Sequence, residues 1–354
     1  MPILKSLVLK LIFKLGVFSL FHYIHRKKIT ILYAHSIVQS SDIATSEWQP
    51  LRTQHTTDQL IFSLKVLDKR YQFISLSTAL RILKKEIKPI DNALVITLDD
   101  GYLNNIKAAG HIFSQYNIHP TIFVSSAHTN NNIPFWFDRL DYALQQIKNE
   151  YYSTKILDEL FTFDCRSRKK LVRSYASFRV KIKSQFVNDQ MMRDYLESLS
   201  CLIEKQTGKA LKQIMQKDSH AQLASWDQLK EAQQHFNFEI GSHTINHARL
   251  SLLDENIIIN ELSQSKQHIE DKLQLTCNTF CYPDNSYDNT TLSIVKDYYD
   301  CALTTDPQLN KIGNNMMELK RLNLPTNREP LNILFQISAL RLNLQKHFRI
   351  TNSL

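Results

Sequence analysis

At 354 residues the chain is long enough for one barrel-sized domain or two small ones, and 43% hydrophobic against 22% charged residues excludes a disordered chain. The formal charge of +9 is local. Residues 1–28 hold six basic residues and no acid, residues 166–183 hold eight and no acid, and removing those fourteen charges leaves −5 for the remainder. Neither run carries a nucleic-acid-binding motif, which leaves acidic surfaces such as anionic lipid, or plain solvated helix faces, to account for them. Five cysteines (Cys165, Cys201, Cys277, Cys281, Cys301) without a CxxC spacing argue against a disulfide framework or a thiolate zinc site, and for a reducing compartment.

The opening "LKSLVLKLIFKLGVFSLFHYIHRKK" is apolar but interrupted by Lys10 and Lys14, which a membrane-spanning helix rarely tolerates near its centre. Ser6, Lys10 and Lys14 stand one helical turn apart and draw a narrow polar stripe on an apolar helix. Residues 1–28 are therefore expected to form a basic amphipathic N-terminal helix. It would lie on a membrane surface with Arg26, Lys27 and Lys28 near the headgroups, or else pack on its own domain. No small-residue cleavage site follows the apolar run, and with the cysteine count this leans towards a membrane-associated protein on the cytoplasmic face.

Residues 29–354 read as one domain. Strand patterns fall at "ITILYAH" (29–35), "ALVITLDD" (93–100), "PTIFVSS" (120–126), "FNFEIGSH" (236–243), "CNTFCYP" (277–283), "DCALTT" (300–305) and "LKRLNLP" (319–325). Helical patterns separate them, among them 56–70, 104–117 and 254–275. Strand then helix, repeated about seven times, implies an α/β fold of parallel strands with crossover helices, either a barrel or a doubly wound sheet. Residues from about 137 to 220 break the rhythm and read as a helical insertion containing the second basic run.

The chemistry gathers at strand ends. "VITLDDGYLNN" (95–105) carries an apolar strand into two adjacent carboxylates, Asp99 and Asp100. Two like charges at the end of a buried strand suggest a cation between them, although they could instead cap a helix starting near Asn104. Glycine is scarce, six in all, and two stand in such clusters, Gly101 here and Gly241 in "EIGSHTINH". His243 and His247, four apart after a strand, can chelate one metal ion with a carboxylate from another strand end; alone, such a pair is more often two satisfied loop histidines. Two imidazoles and one carboxylate suit a divalent ion, zinc first.

"TLDDGY", "GSHTINHARL" and "FCYPDNSYD", in that order, resemble the first three signature motifs of the polysaccharide deacetylases related to the chitooligosaccharide deacetylase of rhizobia, the carbohydrate esterase family 4 type. "ILYAHSIV", "PFWFDRLDYAL" and "SWDQLKEA" resemble further family segments, and the likeness covers about residues 29–325. It implies a distorted (β/α) barrel of about seven strands with the site at their C-terminal ends. It also implies a metal-dependent hydrolase that removes N-acetyl groups from an acetamido sugar in a polysaccharide or lipid-linked glycan. Asp100, His243 and His247 would hold the metal and Asp99 would be the general base. A backbone N–H near Tyr282 and Pro283 would face the oxyanion.

Departures from the pattern matter too. Many members have an arginine at the start of the third motif to orient the base, where this chain has Cys281, and a glycine where it has Asn285. "ELKRLNLPTN" lacks the histidine often found there as general acid but contains Arg321, a candidate to orient a carboxylate or an anionic substrate group. Asp99 is then the expected proton donor as well. His35 is expected as a core or supporting histidine. Trp136 and Trp226 are packing anchors or, less simply, a sugar-stacking wall. Two other functions stay open: a metal-dependent amidase or esterase on a non-sugar acyl substrate, and a glycan-binding relative without turnover.

Overall fold

The computed structural model describes residues 2–351. Its strands in chain order are β1 Thr30–Ala34, β2 Ile37–Val38, β3 His55–Thr56, β4 Gln72–Phe73, β5 Ala93–Leu98 and β6 Thr121–Val124. They continue as β7 Tyr151–Ile156, β8 Glu159–Asp164, β9 Glu239–Ser242, β10 Thr279–Cys281, β11 Cys301–Leu303 and β12 Leu322–Asn323. Seven of them form a parallel sheet in the order β11-β10-β9-β6-β5-β1-β12, with β4 added beside the start of β5. A bridge from Leu303 to Leu319 brings the chain ahead of β12 against β11, so the curled sheet meets itself at one point. The fold is the distorted barrel that the strand–helix rhythm and the motifs imply.

Alternation along β5 explains both the core and the site. All six of its residues are buried, as expected of a parallel strand covered on both faces. Leu94, Ile96 and Leu98 join the outer layer beneath the helices, with Leu60, Leu64 and Phe113. Ala93 and Val95 point into the barrel, where they meet Ile31, Phe123, Cys281, Cys301 and Leu303. The helix Leu76–Leu83 adds Leu76, Ala79 and Leu83 to that interior cluster. Two further steps along the inward face are Thr97 and Asp99, so the interior turns from apolar to charged at the strand's C-terminal end.

The segment between β6 and β9 is mainly helical and has its own apolar core, drawn from Leu140, Leu171, Phe178, Met192 and Leu196 among others. It also contains an antiparallel hairpin, β7–β8, that the sequence pattern does not announce. The two-residue turn is Leu157-Asp158, with Leu157 at φ 51°, a conformation that hairpin turns usually assign to glycine or asparagine. The expected single N-terminal helix is instead two, Pro2–Lys14 and Val17–Ile24, broken at Gly16 with φ 72°. Leu9 and Phe18 are buried against the domain, and Phe18 stacks on Phe13 with ring centroids 4.3 Å apart. Leu7, Leu11, Leu15 and Leu20 remain exposed. Among the described residues no helix is long and apolar enough to cross a membrane.

The two strand-end glycines serve different needs. Gly101 has φ 77°, the left-handed region, while Gly241 is a close approach: a Cβ there would lie 2.4 Å from the Phe123 ring and 2.6 Å from Thr279 Oγ1. Gly241→Ala must push apart β6 and β10 on either side of β9, and should destabilise the fold by about 1–3 kcal/mol. A denaturant titration checks this, and an unchanged midpoint would show that the strands can separate freely at that point.

Candidate active site

The ends of β5 and β9 bring three buried side chains together. Asp100 Oδ1 lies 3.6 Å from His243 Nε2 and 3.4 Å from His247 Nε2, and one ligand atom from each residue lies within 4.8 Å of the others. Neither oxygen of Asp100 has a hydrogen-bond partner although both are buried. Such a carboxylate is costly to leave bare, and a divalent cation would satisfy it. His243 Nδ1 lies 2.7 Å from the carbonyl of Cys281. A carbonyl only accepts, so Nδ1 carries the proton and Nε2 is left with a lone pair towards Asp100. The donor set fits a metal ion.

The local backbone is strained to achieve this. Asp100 has φ 73°, Thr244 φ 67° and His247 φ 53°, all in the left-handed region that L-residues seldom adopt. Glu261, buried in the helix Glu255–Leu273, accepts from the N–H groups of Ile245 (2.7 Å) and Asn246 (3.1 Å) and from the Asn246 side chain (2.7 Å), which fastens the loop carrying His247. Asp99 and Asp100 do not cap the helix Asn104–Lys107, whose N-terminus has no side-chain cap. Asn104 and Asn105 instead hold the turn after β1. Both side chains accept from the Ile37 N–H, and Asn105 Nδ2 donates to the His35 carbonyl at 2.8 Å.

Asp99 has a different partner. Arg321 Nη1 and Nη2 donate to its two oxygens at 2.8 Å each, inside the barrel, and Arg321 is fully buried. The same guanidinium donates to Thr97 Oγ1 (2.9 Å) and to the Thr304 carbonyl (3.0 Å), so its fork is fixed on several sides. Burial alone would raise the Asp99 pKa. The Arg321 charge and its hydrogen bonds, with smaller help from His243 and His35, outweigh that and hold the carboxyl below its ordinary range. For Asp100 burial again opposes, and His247, His35 and His243 prevail, keeping it ionised. Cys281, the residue in the motif's arginine position, lies 2.9 Å from Arg321 Nη2. Arginine and cysteine thus meet inside the barrel, with the charge supplied from the residue just ahead of β12. Asp99, His243 and Cys281 also converge closely enough for an ion. That set fits a metal poorly, since Asp99 is engaged by Arg321 and burial keeps the Cys281 thiol protonated.

Two expectations need correction. The Tyr282 N–H is not available to an oxyanion, because it donates to the Leu303 carbonyl at 3.2 Å; Pro283 has no N–H and does not line the cleft, although Tyr282 does. His35 is not a core residue behind the ligands. Its ring is exposed to the cleft and makes no hydrogen bond to a described residue. Trp136 and Trp226 lie outside the cleft; Trp226 Nε1 donates to Asn130 at 2.6 Å. The cleft has a volume of about 370 Å³, within the range of small-ligand sites. Its walls include Asp284, from the third motif, and Arg52 and Arg179, which no motif singled out because they come from a loop and from the insertion. Asn285 has φ 57°, which accounts for the glycine usual at that position.

An arginine-clamped carboxylate and a cluster of metal-type donors thus stand together at the C-terminal end of a parallel barrel, an arrangement suited to a hydrolase. A family model described as polysaccharide deacetylase matches residues 86–299, so the chain belongs to the polysaccharide deacetylase family and is a hydrolase of N-acetyl amide bonds. Members of the family are generally metal-dependent. No curated protein sequence matches the chain. Its backbone is similar to the deacetylase PplD of Streptococcus pyogenes in complex with acetate, at 18% identity and TM-score 0.55 over 88% of this chain and 98% of that one. It is also similar to a de-N-acetylase from Aggregatibacter actinomycetemcomitans (15% identity, TM-score 0.53, 85% and 96% covered). IcaB from Ammonifex degensii is a third such structure (14% identity, TM-score 0.53, 88% and 97% covered). At these identities the likeness shows the fold.

Asp99's depressed pKa means that its pairing with Arg321 stabilises the fold at neutral pH and is lost as pH falls through the folded value. Without Arg321, burial raises that pKa and the carboxylate is lost at higher pH. Arg321→Met should therefore lower unfolding stability by about 3–5 kcal/mol and move the acid limb of the rate profile upwards. Urea titration and a pH–rate series check both, and an unmoved limb would separate Arg321 from the base.

Proposed function

We propose that the protein is a zinc-dependent N-deacetylase acting on an acetamido sugar of a glycan carried at a membrane surface. The observation that carries this reading is the bare Asp100 carboxylate facing two imidazole nitrogens at 3.4 and 3.6 Å. Asp100, His243 and His247 would hold a divalent ion, which when bound would supply Lewis acidity to the acetyl carbonyl and to the attacking water.

The protein's own groups move the protons. Asp99 takes one from the attacking water as the C–O bond forms. Arg321 makes Asp99 a weak base but a ready donor, so the proton moves on. We assign His35 as the group that passes it to the leaving nitrogen while the C–N bond breaks, giving acetate and a free amine. Its open ring in the same cleft supports this. Purified protein should release acetate from an N-acetylated glycan and lose activity on chelation, with recovery on adding zinc. Asp99→Asn should lower kcat by about 10²–10⁴ with metal content unchanged, and His35→Gln should lower kcat with little change in KM. Full turnover in Asp99→Asn would end the assignment of the base. Acetate from simple amides but from no glycan would point to a non-sugar substrate.

For the membrane contact, the support is the exposed apolar edge Leu11, Leu15 and Leu20 beside exposed Lys10 and Lys14, while Leu9 and Phe18 face the domain. Free cysteines, five of them, suit the cytoplasmic face. The protein should sediment with vesicles containing anionic lipid and less with neutral ones, and Leu11→Asp with Leu15→Asp should abolish this. Equal recovery in the supernatant with both vesicle types would remove the membrane from the proposal.

A further inference from the structure

Of the arginine and lysine side chains at and around the cleft, one has no carboxylate within ion-pair distance. Arg321 is paired with Asp99, Arg52 Nη2 lies 2.9 Å from Asp138, and Lys183 Nζ lies 2.6 Å from Asp284. Arg179 remains. It lines the same cleft from the helix Arg168–Gln185, and among the described residues it makes neither an ion pair nor a hydrogen bond. Its Nε is buried without a partner, as is Nε of Arg52. The nearby Asp284 carboxylate is already engaged by Lys183, one turn along the helix from Arg179. Leu171, Tyr175, Phe178 and Ile182 bury the other side of that helix in the insertion, which turns Arg179 and Lys183 towards the mouth of the barrel.

A guanidinium with a buried, unanswered N–H is expensive unless an acceptor arrives to meet it. Arginine's planar fork suits a carboxylate or phosphate, which it can grip with two parallel bonds. We propose that Arg179, with Arg52 beside the same cleft, forms a subsite for an anionic group, so that the glycan bears a carboxylate or phosphate next to the acetamido sugar. This rests on the deacetylase reading of the cleft and adds a substrate class to it. The helical insertion then serves as the specificity element, and its basic run is a recognition surface at Arg179 as well as a solvated face elsewhere.

The test compares acetate release by the zinc-loaded protein from three sugars at low salt: neutral tri-N-acetylchitotriose, a hyaluronan tetrasaccharide carrying carboxylates, and UDP-N-acetylglucosamine carrying a diphosphate. One acidic substrate should exceed the neutral one in kcat/KM by about tenfold or more, the worth of a charged hydrogen bond. Which acid wins identifies the carboxylate or the phosphate as the group bound. Added sodium chloride should erode the preference, and in Arg179→Gln the acidic-to-neutral ratio should fall towards one. Arg179→Lys, which keeps the charge without the fork, should fall between. A wild-type ratio near one, or a ratio equally high in a folded Arg179→Gln protein with unchanged melting temperature, overturns the subsite. If no sugar releases acetate the deacetylase reading fails. Calorimetry then decides the subsite on its own: acidic-sugar binding that is lost in Arg179→Gln sustains it, and no such binding ends it.

Discussion

Two adjacent carboxylates must stay ionised at the end of one buried strand, and the structure answers by giving each its own environment. Alternation along β5 sends Asp99 into the barrel, where the buried Arg321 grips both its oxygens. Asp100 follows in a left-handed conformation and turns out of the strand towards His243 and His247. Had both acids faced the same way, one would have been forced to take up a proton. The division of labour between the two residues therefore begins with the period-two geometry of a strand and ends with two different partners.

Around that pair the rest of the domain acts as support. Gly241 lets β9 run close to Phe123, which brings His243 to the barrel's mouth, and Glu261 fastens the loop that returns His247. The segment leading into β12 supplies an arginine where the third motif has Cys281, and the two side chains meet at 2.9 Å. A charge needed at one point in space can be delivered from either side of a closed ring of strands. That freedom explains how the third motif can lose its arginine while Asp99 keeps its clamp.

The insertion shows the other use of tertiary structure. As sequence it is a basic helical run, and several of its charges are neutralised within the protein: Arg166 by Asp164, Lys181 by Glu159, Lys183 by Asp284. Only after folding does Arg179 stand at the cleft without a carboxylate of its own. Net charge described the segment correctly and located none of its roles.

Seven parallel strands and the strand-end positions of Asp99, Asp100, His243 and His247 were legible in the sequence, because buried strands demand continuous apolar runs and the polar residues that follow them stand out. The β7–β8 hairpin was not, since its Leu157-Asp158 turn carries no glycine or asparagine signal. Nor were Arg52, Arg179, Glu261 and the open position of His35. These lie on loops and helix faces whose neighbours are tens to hundreds of residues away in the chain. Local pattern records which face of an element is buried; which distant charge meets which, and which is left over, is decided only when the ring of strands closes.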